Sequence, residues 1–204
     1  MGVAMTAERQ AKATPETWMY PPSDGWTYEQ VKELDLPFEW ELVDGAIVVR
    51  GMTNLWHNQV RDGVYDRLKA ARCEPYAVNS EQCVLVDAYN PPKSDVVVYD
   101  KRGLDVFSLE CVPVDRVALV VEVVSPGSRQ EDRVRKPAMF AAAGVPYYWR
   151  VERGTDDLPE VHTYWLHRDL GAYVPAPEHP VHRGKLLVES PFAVEVDLHG
   201  LVEL

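Results

Sequence analysis

The sequence predicts an α/β fold: a mixed central sheet flanked by helices, with additional β-strands at the C-terminal end. Three observations lead there. The runs DVVVY (95–99) and VALVVEVV (117–124) are rich in β-branched residues and have the length of buried strands. Residues 54–72 carry Leu55, Val60, Val64, Leu68 and Ala71 at three- and four-residue spacings, the period of an amphipathic helix. The inferred elements run α-β-β-α-β-β-β-α-β and then more β, an order that suits helices packed on a sheet.

Each element has a local reason. Residues 1–25 are polar and contain Pro15, Pro21, Pro22 and Gly25, so they read as a flexible arm leading into a docked start. A single domain over 26–204 follows. Thr27 caps a short helix, YEQVKEL, with Glu29 and Gln30 near its dipole, and Pro37 ends it. WELVDGAIVVR (40–50) is a hairpin, because Asp44-Gly45 is a favoured two-residue turn between apolar runs. After the 54–72 helix, 76–86 and 95–99 read as strands separated by the breaker YNPP (89–92). Residues 101–115 form a charged, irregular connector. The strand 117–124 is the most apolar and belongs at the centre of the sheet. Ser128 caps a helix to about Ala143, which Gly144 ends. The strand YYWRV (147–151) follows, then the runs VHTYWLH, KLLVE and AVEVDL within 160–204. Tyr148, Trp149, Tyr164 and Trp165 are expected to cover the core or a dimer face.

Composition narrows the partners. The chain has 204 residues, 46% of them hydrophobic, enough for one substantial core. A net charge of −11 is not that of an obvious nucleic-acid binder, whose phosphate contacts need clustered Lys and Arg, although a local basic patch is compatible with it. Cys73, Cys83 and Cys111 are odd in number and follow no zinc pattern, so they read as small buried thiols and point to a cytoplasmic protein. No run approaches the ~18 apolar residues of a membrane span.

The chemistry begins with Glu122, a charge inside an otherwise apolar strand, which is costly unless something pairs with it. Asp95 opens the strand 95–99. Were these strands neighbours, the two carboxylates would converge at one end of the sheet and repel, and a divalent cation would remove the conflict. The Val123 carbonyl can add a ligand. In the following helix Arg129, Asp132 and Lys136 share one face, and Lys136 can point back over the acids. Structural alternatives stay open. Asp95 can be a turn residue at the start of its strand, Glu122 can pair with a core cation, and Asp132–Lys136 can be a surface pair.

At this point the chain resembles the Uma2 family, once called DUF820, of restriction-endonuclease-like proteins in the PD-(D/E)XK nuclease superfamily. The matching pieces are WELVDGAIVV (40–49), His57, SDVVVYD (94–100), LVVEVVSPGSRQEDRVRK (119–136) and AGVPYYWRVE (143–152). They cover roughly residues 25–200. The resemblance implies a restriction-endonuclease-like fold and a metal-dependent endonuclease acting on DNA, with Mg²⁺ or Mn²⁺ as cofactor. It makes Asp95 the metal-binding Asp and Glu122 the acid of the (D/E)XK element, with Glu41 a further acid and Val123 a backbone ligand. Val124 stands where the pattern has Lys, so Lys136 takes the lysine's part from the next helix. His57 is a proton carrier or phosphate contact, or else a half-buried helix residue bonded to a carbonyl. Ser94 replaces the usual Pro. Pro137 disfavours helical geometry at Lys136, so the helix either kinks there or starts its second half at Pro137, which leaves the lysine's aim open. Homodimerisation is expected of such a fold. A non-catalytic binding or regulatory protein on a degenerate scaffold is the alternative. A positive band from Lys93, Arg129, Arg133 and Arg135 would separate the two.

Overall fold

The computed structural model describes residues 11–202. The first ten residues of the expected arm lie outside that range. Residues 11–25 run against the domain: Ala13 N–H donates to the Gln30 carbonyl (2.9 Å) and Trp26 Nε1 to the Trp18 carbonyl (2.9 Å).

Helix α1 (Tyr28–Val31) is one turn, shorter than the sequence predicts. The Gln30 side chain reaches back to the Thr27 N–H at 2.8 Å, which fixes the start. After Val31 the chain tightens, with Leu34 N–H on the Val31 carbonyl, and Leu34 turns into a cluster with Trp26 and Leu42. Burial of Leu34 thus wins over continuation of the helix to Pro37. Strands β1 (Trp40–Val43) and β2 (Ala46–Val49) form the expected hairpin, Val43 opposite Ala46. Asp44 and Gly45 both have positive φ (48° and 75°), as a two-residue turn of this kind requires.

Helix α2 (Leu55–Ala71) is capped by Asn54, whose side chain accepts the His57 N–H at 2.9 Å. Then come β3 (Tyr76–Leu85), β4 (Lys93–Asp100), β5 (Val112–Pro113) and β6 (Val117–Val123). A π-helical turn (Glu131–Arg135) leads into α3 (Lys136–Ala142). Strands β7 (Tyr147–Arg153), β8 (Pro159–His167), β9 (Ala172–Pro175), β10 (Val181–Arg183), β11 (Lys185–Val188) and β12 (Val194–Asp197) complete the chain. The main sheet runs β10-β8-β7-β6-β4-β3-β5, with β9 also on β8. It is mixed: β6 pairs antiparallel with β4 and parallel with β7.

Alternate residues of β4 and β6 serve opposite faces. Val96, Val98, Leu119 and Val121 pack under α2 residues Val60, Val64 and Leu68. Val97, Val120 and Tyr148 pack under Phe140 of α3. Gly144, at φ +85°, closes α3, with Val145 N–H on the Phe140 carbonyl (3.0 Å). Among the expected aromatics, Tyr148 and Trp149 are buried and Trp165 is exposed.

The cysteine expectation is corrected. Cys83 and Cys111 form a disulfide and Cys73 is exposed. Strand β5 lies parallel to β3 with Val112 opposite Val84, which sets the preceding residue of each strand side by side. The argument from buried thiols to a cytoplasmic location therefore falls. Among the described residues no helix is long and apolar enough to cross a membrane.

Candidate active site

Asp95 and Glu122 meet. The β4–β6 register sets Val96 opposite Val121 and Val97 opposite Val120, and carried one step further it sets Asp95 opposite Glu122. Both acids line one cavity of about 210 Å³ at the end of the sheet, Asp95 against His57 of α2 and Glu122 against Lys136 of α3. Glu41, His57, Val123 and Lys136 line it too, so the expected catalytic and metal-binding residues lie around one cavity, while Lys93, Arg129, Arg133 and Arg135 do not line it.

Lys136 answers the question raised by Glu122. Its ammonium lies 3.0 Å from Glu122 Oε2 and 3.5 Å from Asp132 Oδ1, and all three side chains are buried. Pro137 does not turn it away. The Lys136 N–H donates to the Glu131 carbonyl five residues back, so the helix absorbs one extra residue as a π-turn and continues. Pro137 then sits in the first turn of α3, where its missing N–H costs nothing. The π-turn ends there and α3 begins at Lys136, beside the proline, and Lys136 keeps helical backbone angles (φ −60°, ψ −47°).

Asp132 is more than the helix-surface partner that its spacing suggests. It is buried in the site rather than part of a surface pair. The Ser128 hydroxyl donates to its Oδ2, and the Tyr148 hydroxyl donates to its backbone carbonyl at 2.8 Å. The only signal was its spacing of four from Lys136. Arg50 gave no signal beyond closing an apolar strand, yet its Nε faces Glu41 Oε1 at 3.3 Å. In the sequence Asn90 has only the mark of a turn breaker. Its buried side-chain oxygen accepts the Asp44 N–H (3.0 Å) and Arg135 Nη2 (2.8 Å), tying the hairpin to the helix. In this way β1 and β2 hold Glu41 and Arg50 over the sheet end.

The electrostatics follow from burial. Burial pushes the Glu122 carboxyl well up; the charges of Asp95 and Asp132 add to this, and Lys136 only partly offsets it. Burial also raises Asp132, against the pull of Lys136. For Lys136, burial works against the ammonium, but Glu122, Glu41, Asp132 and Asp95 outweigh it and hold its pKa above the ordinary lysine value. Burial would raise Asp95, yet His57, Lys136 and the Val123 N–H bring it below the ordinary carboxylate value. Its Oδ2 accepts that N–H at 2.7 Å and faces His57 Nε2 at 3.3 Å. Burial would lower His57, but Asp95 raises it on balance.

Glu122 Oε1 and Glu41 Oε1 are buried without a hydrogen-bond partner. Glu41 Oε1 still has the Arg50 guanidinium beside it, whereas Glu122 Oε1 is a hard carboxylate oxygen left unpaired, which suits Mg²⁺ or Mn²⁺. Among the described residues no three His, Cys, Asp or Glu side chains converge closely enough to hold an ion by themselves. Mg²⁺ commonly takes one or two carboxylates and completes its shell with water and phosphate oxygens, so the donor set still fits.

The flanking cations are mostly occupied. Arg133 is bound to Glu152, Arg135 to Glu131 and Lys93 to Glu81, while Arg129 is exposed.

Residues 27–194 match the model of the Uma2 family, described as "Putative restriction endonuclease". The fold is similar to a crystal structure described as that of "a putative nuclease belonging to DUF820 from Anabaena variabilis ATCC 29413". The TM-score is 0.62 at 14% identity, covering 86% of this chain and 96% of that one. No match was found among curated proteins.

Proposed function

The chain belongs to the Uma2 family, and on that premise we propose that it is a metal-dependent endonuclease hydrolysing DNA phosphodiester bonds. One observation carries the reading: two acids lie opposite each other in one cavity, Glu122 has an unpaired buried oxygen, and a buried ammonium stands 3.0 Å from its other oxygen. Asp95 and Glu122 would hold Mg²⁺ or Mn²⁺, with Glu41 and the Val123 carbonyl as further donors. Such an ion, when bound, polarises the phosphate and lowers the pKa of a bound water.

The chain's own groups do the rest. Lys136 stays protonated, so it acts as a donor to the charge developing on the phosphate rather than as a base. Asp132, fixed by Ser128 and Tyr148, aims it. His57, whose pKa Asp95 raises, has a buried Nδ1 without a partner, and in the protonated ring its N–H can donate to a phosphate oxygen.

Cleavage of supercoiled plasmid with Mg²⁺ and with Mn²⁺ tests this. Wild type should cut, and Glu122→Gln and Asp95→Asn should fall to background. Equal cutting by both variants would mark a contaminating nuclease and end the proposal.

A second reading, DNA or protein binding without catalysis, is favoured by the acids that occupy Lys93, Arg133 and Arg135. It predicts a bound duplex that stays intact in either metal. A homodimer and a cytoplasmic location belong to the nuclease proposal; sedimentation velocity tests the first, and the second rests on the substrate.

A further inference from the structure

Glu81 stands opposite Asp95 on the other side of β4, bracketed by the pairs Ser80–Val96 and Gln82–Ser94. A row of three acids therefore crosses the sheet end on β3, β4 and β6. Glu81 differs from the other two. Its backbone φ is +51° in the middle of a strand, a region that a non-glycine residue takes only when its surroundings impose it.

What surrounds Glu81 is positive charge from three elements. Arg61 Nη1 lies 2.6 Å from its carboxylate, Lys93 Nζ 3.2 Å and Arg50 Nη1 3.4 Å. Each cation is tied to the candidate active site. Arg61 is one turn beyond His57 on α2, Lys93 is two residues before Asp95 on β4, and Arg50 lines the cavity. Other acids share these cations. Asp62 Oδ1 is 2.9 Å from Arg61, Glu41 Oε1 3.3 Å from Arg50 and Glu39 3.9 Å from Lys93. Asp62 and Glu39 are largely exposed, and Glu41 faces the cavity.

We propose that Arg50, Arg61 and Lys93 are the seat for a backbone phosphate of the DNA strand entering the cavity, and that Glu81 fills this seat until nucleic acid arrives. The proposal takes its ligand class from the nuclease reading. A carboxylate and a phosphodiester present comparable anionic oxygens to guanidinium N–H groups, so one can replace the other. Burial works to raise the Glu81 carboxyl, yet Arg50 and Lys93 bring it below the ordinary value, so it is a charged occupant. Displaced by a phosphate, Glu81 is free to leave its left-handed backbone conformation.

The test is fluorescence anisotropy of a labelled duplex in EDTA, across a salt series. Glu81→Gln should bind about tenfold tighter than wild type, the scale of one charge-assisted contact no longer broken on binding. Arg61→Gln and Lys93→Gln should bind more weakly. Each should also flatten the plot of log affinity against log salt by about 0.9, one phosphate contact. Lys93 is partly exposed, so its variant keeps the test open should an Arg61 or Glu81 variant misfold. Unchanged or weaker binding by a folded Glu81→Gln, or an unchanged salt slope in Lys93→Gln, would overturn the seat. So would a thermal shift with inorganic phosphate but no binding of duplex, which would assign a free-anion site. The same variants with Mg²⁺ separate the two claims. The expected binding pattern without cleavage keeps the seat and sinks the nuclease reading. Wild-type cleavage with Glu81→Gln unaltered in affinity sinks the seat alone.

Discussion

Replacing Lys136 with Met keeps most of the side chain's bulk and removes its charge. Lys136 is 5% exposed, and its ammonium is 3.0 Å from Glu122 and 3.5 Å from Asp132, themselves 1% and 2% exposed. The substitution leaves two buried carboxyls without their cation. Breaking a buried pair in this way costs about 3–5 kcal/mol. In a chain of this size each kcal/mol moves Tm by roughly 2–4 °C. The expected drop is therefore about 6–20 °C near neutral pH in EDTA. The pH dependence has a definite sign. Glu122 is already raised by burial, and loss of the ammonium raises it further. An acid raised in the folded state keeps a proton that the unfolded chain has given up, so stability falls as pH rises from its unfolded value through its folded value. The deficit of Lys136→Met should thus shrink toward pH 5 and widen toward pH 8. Adding Glu122→Gln should recover much of it, since a neutral amide needs no cation. Mg²⁺ should raise Tm more in Lys136→Met than in wild type, because it restores positive charge among the acids. Circular-dichroism melts across this pH range decide the matter. A Tm within about 2 °C of wild type near neutral pH, against the shift expected here, or a deficit that does not shrink in acid, would refute the buried-pair argument.

The His57 imidazole should titrate above its ordinary value by NMR, and Asp95→Asn should lower it, since burial and the Arg61 charge are then opposed only by the weaker Asn58 hydrogen bond. A raised histidine stabilises the fold below its unfolded pKa and loses that contribution as pH rises through the folded one. Destabilisation by Asp95→Asn should accordingly be greater at acid than at alkaline pH, and the reverse order would count against the pair. Gly45→Ala would set a Cβ 2.8 Å from the Gly25 Cα, at a φ of +75°. It should lower Tm and also cleavage, by shifting the hairpin that carries Glu41 and Arg50; full cleavage would show that the hairpin does not position them. Tyr148→Phe removes a buried bond to the Asp132 carbonyl and should cost about 1 kcal/mol. That is read as a drop of about 2–4 °C in Tm.

The chain's periodicities carried most of the architecture. The hairpin turn at Asp44-Gly45, the 54–72 helix and the paired valine runs depend on short-range rules: backbone sterics at the turn, helical spacing and β-branched packing. The same rules failed where a distant partner intervened. The helix at 28 stops early because Leu34 is wanted by Trp26 and Leu42. Cys83 and Cys111 are joined because β5 returns beside β3, and no local signal across their separation of 28 residues announces that return.

The site divides along the same line. The residue types, an acid inside an apolar strand, an acid opening a neighbouring strand and a lysine fourteen positions later, were legible because each breaks the pattern around it. Their convergence was legible only as a condition, that the two strands be neighbours and the lysine point back; the β4–β6 register and a π-turn that carries Lys136 past its proline decide it. Asp132, Arg50 and Glu81 look like ordinary surface charges along the chain. Only packing buries the first and sets the other two beside the cavity. Burial is a property of neighbours in space, and it is burial that turns these charges into a site.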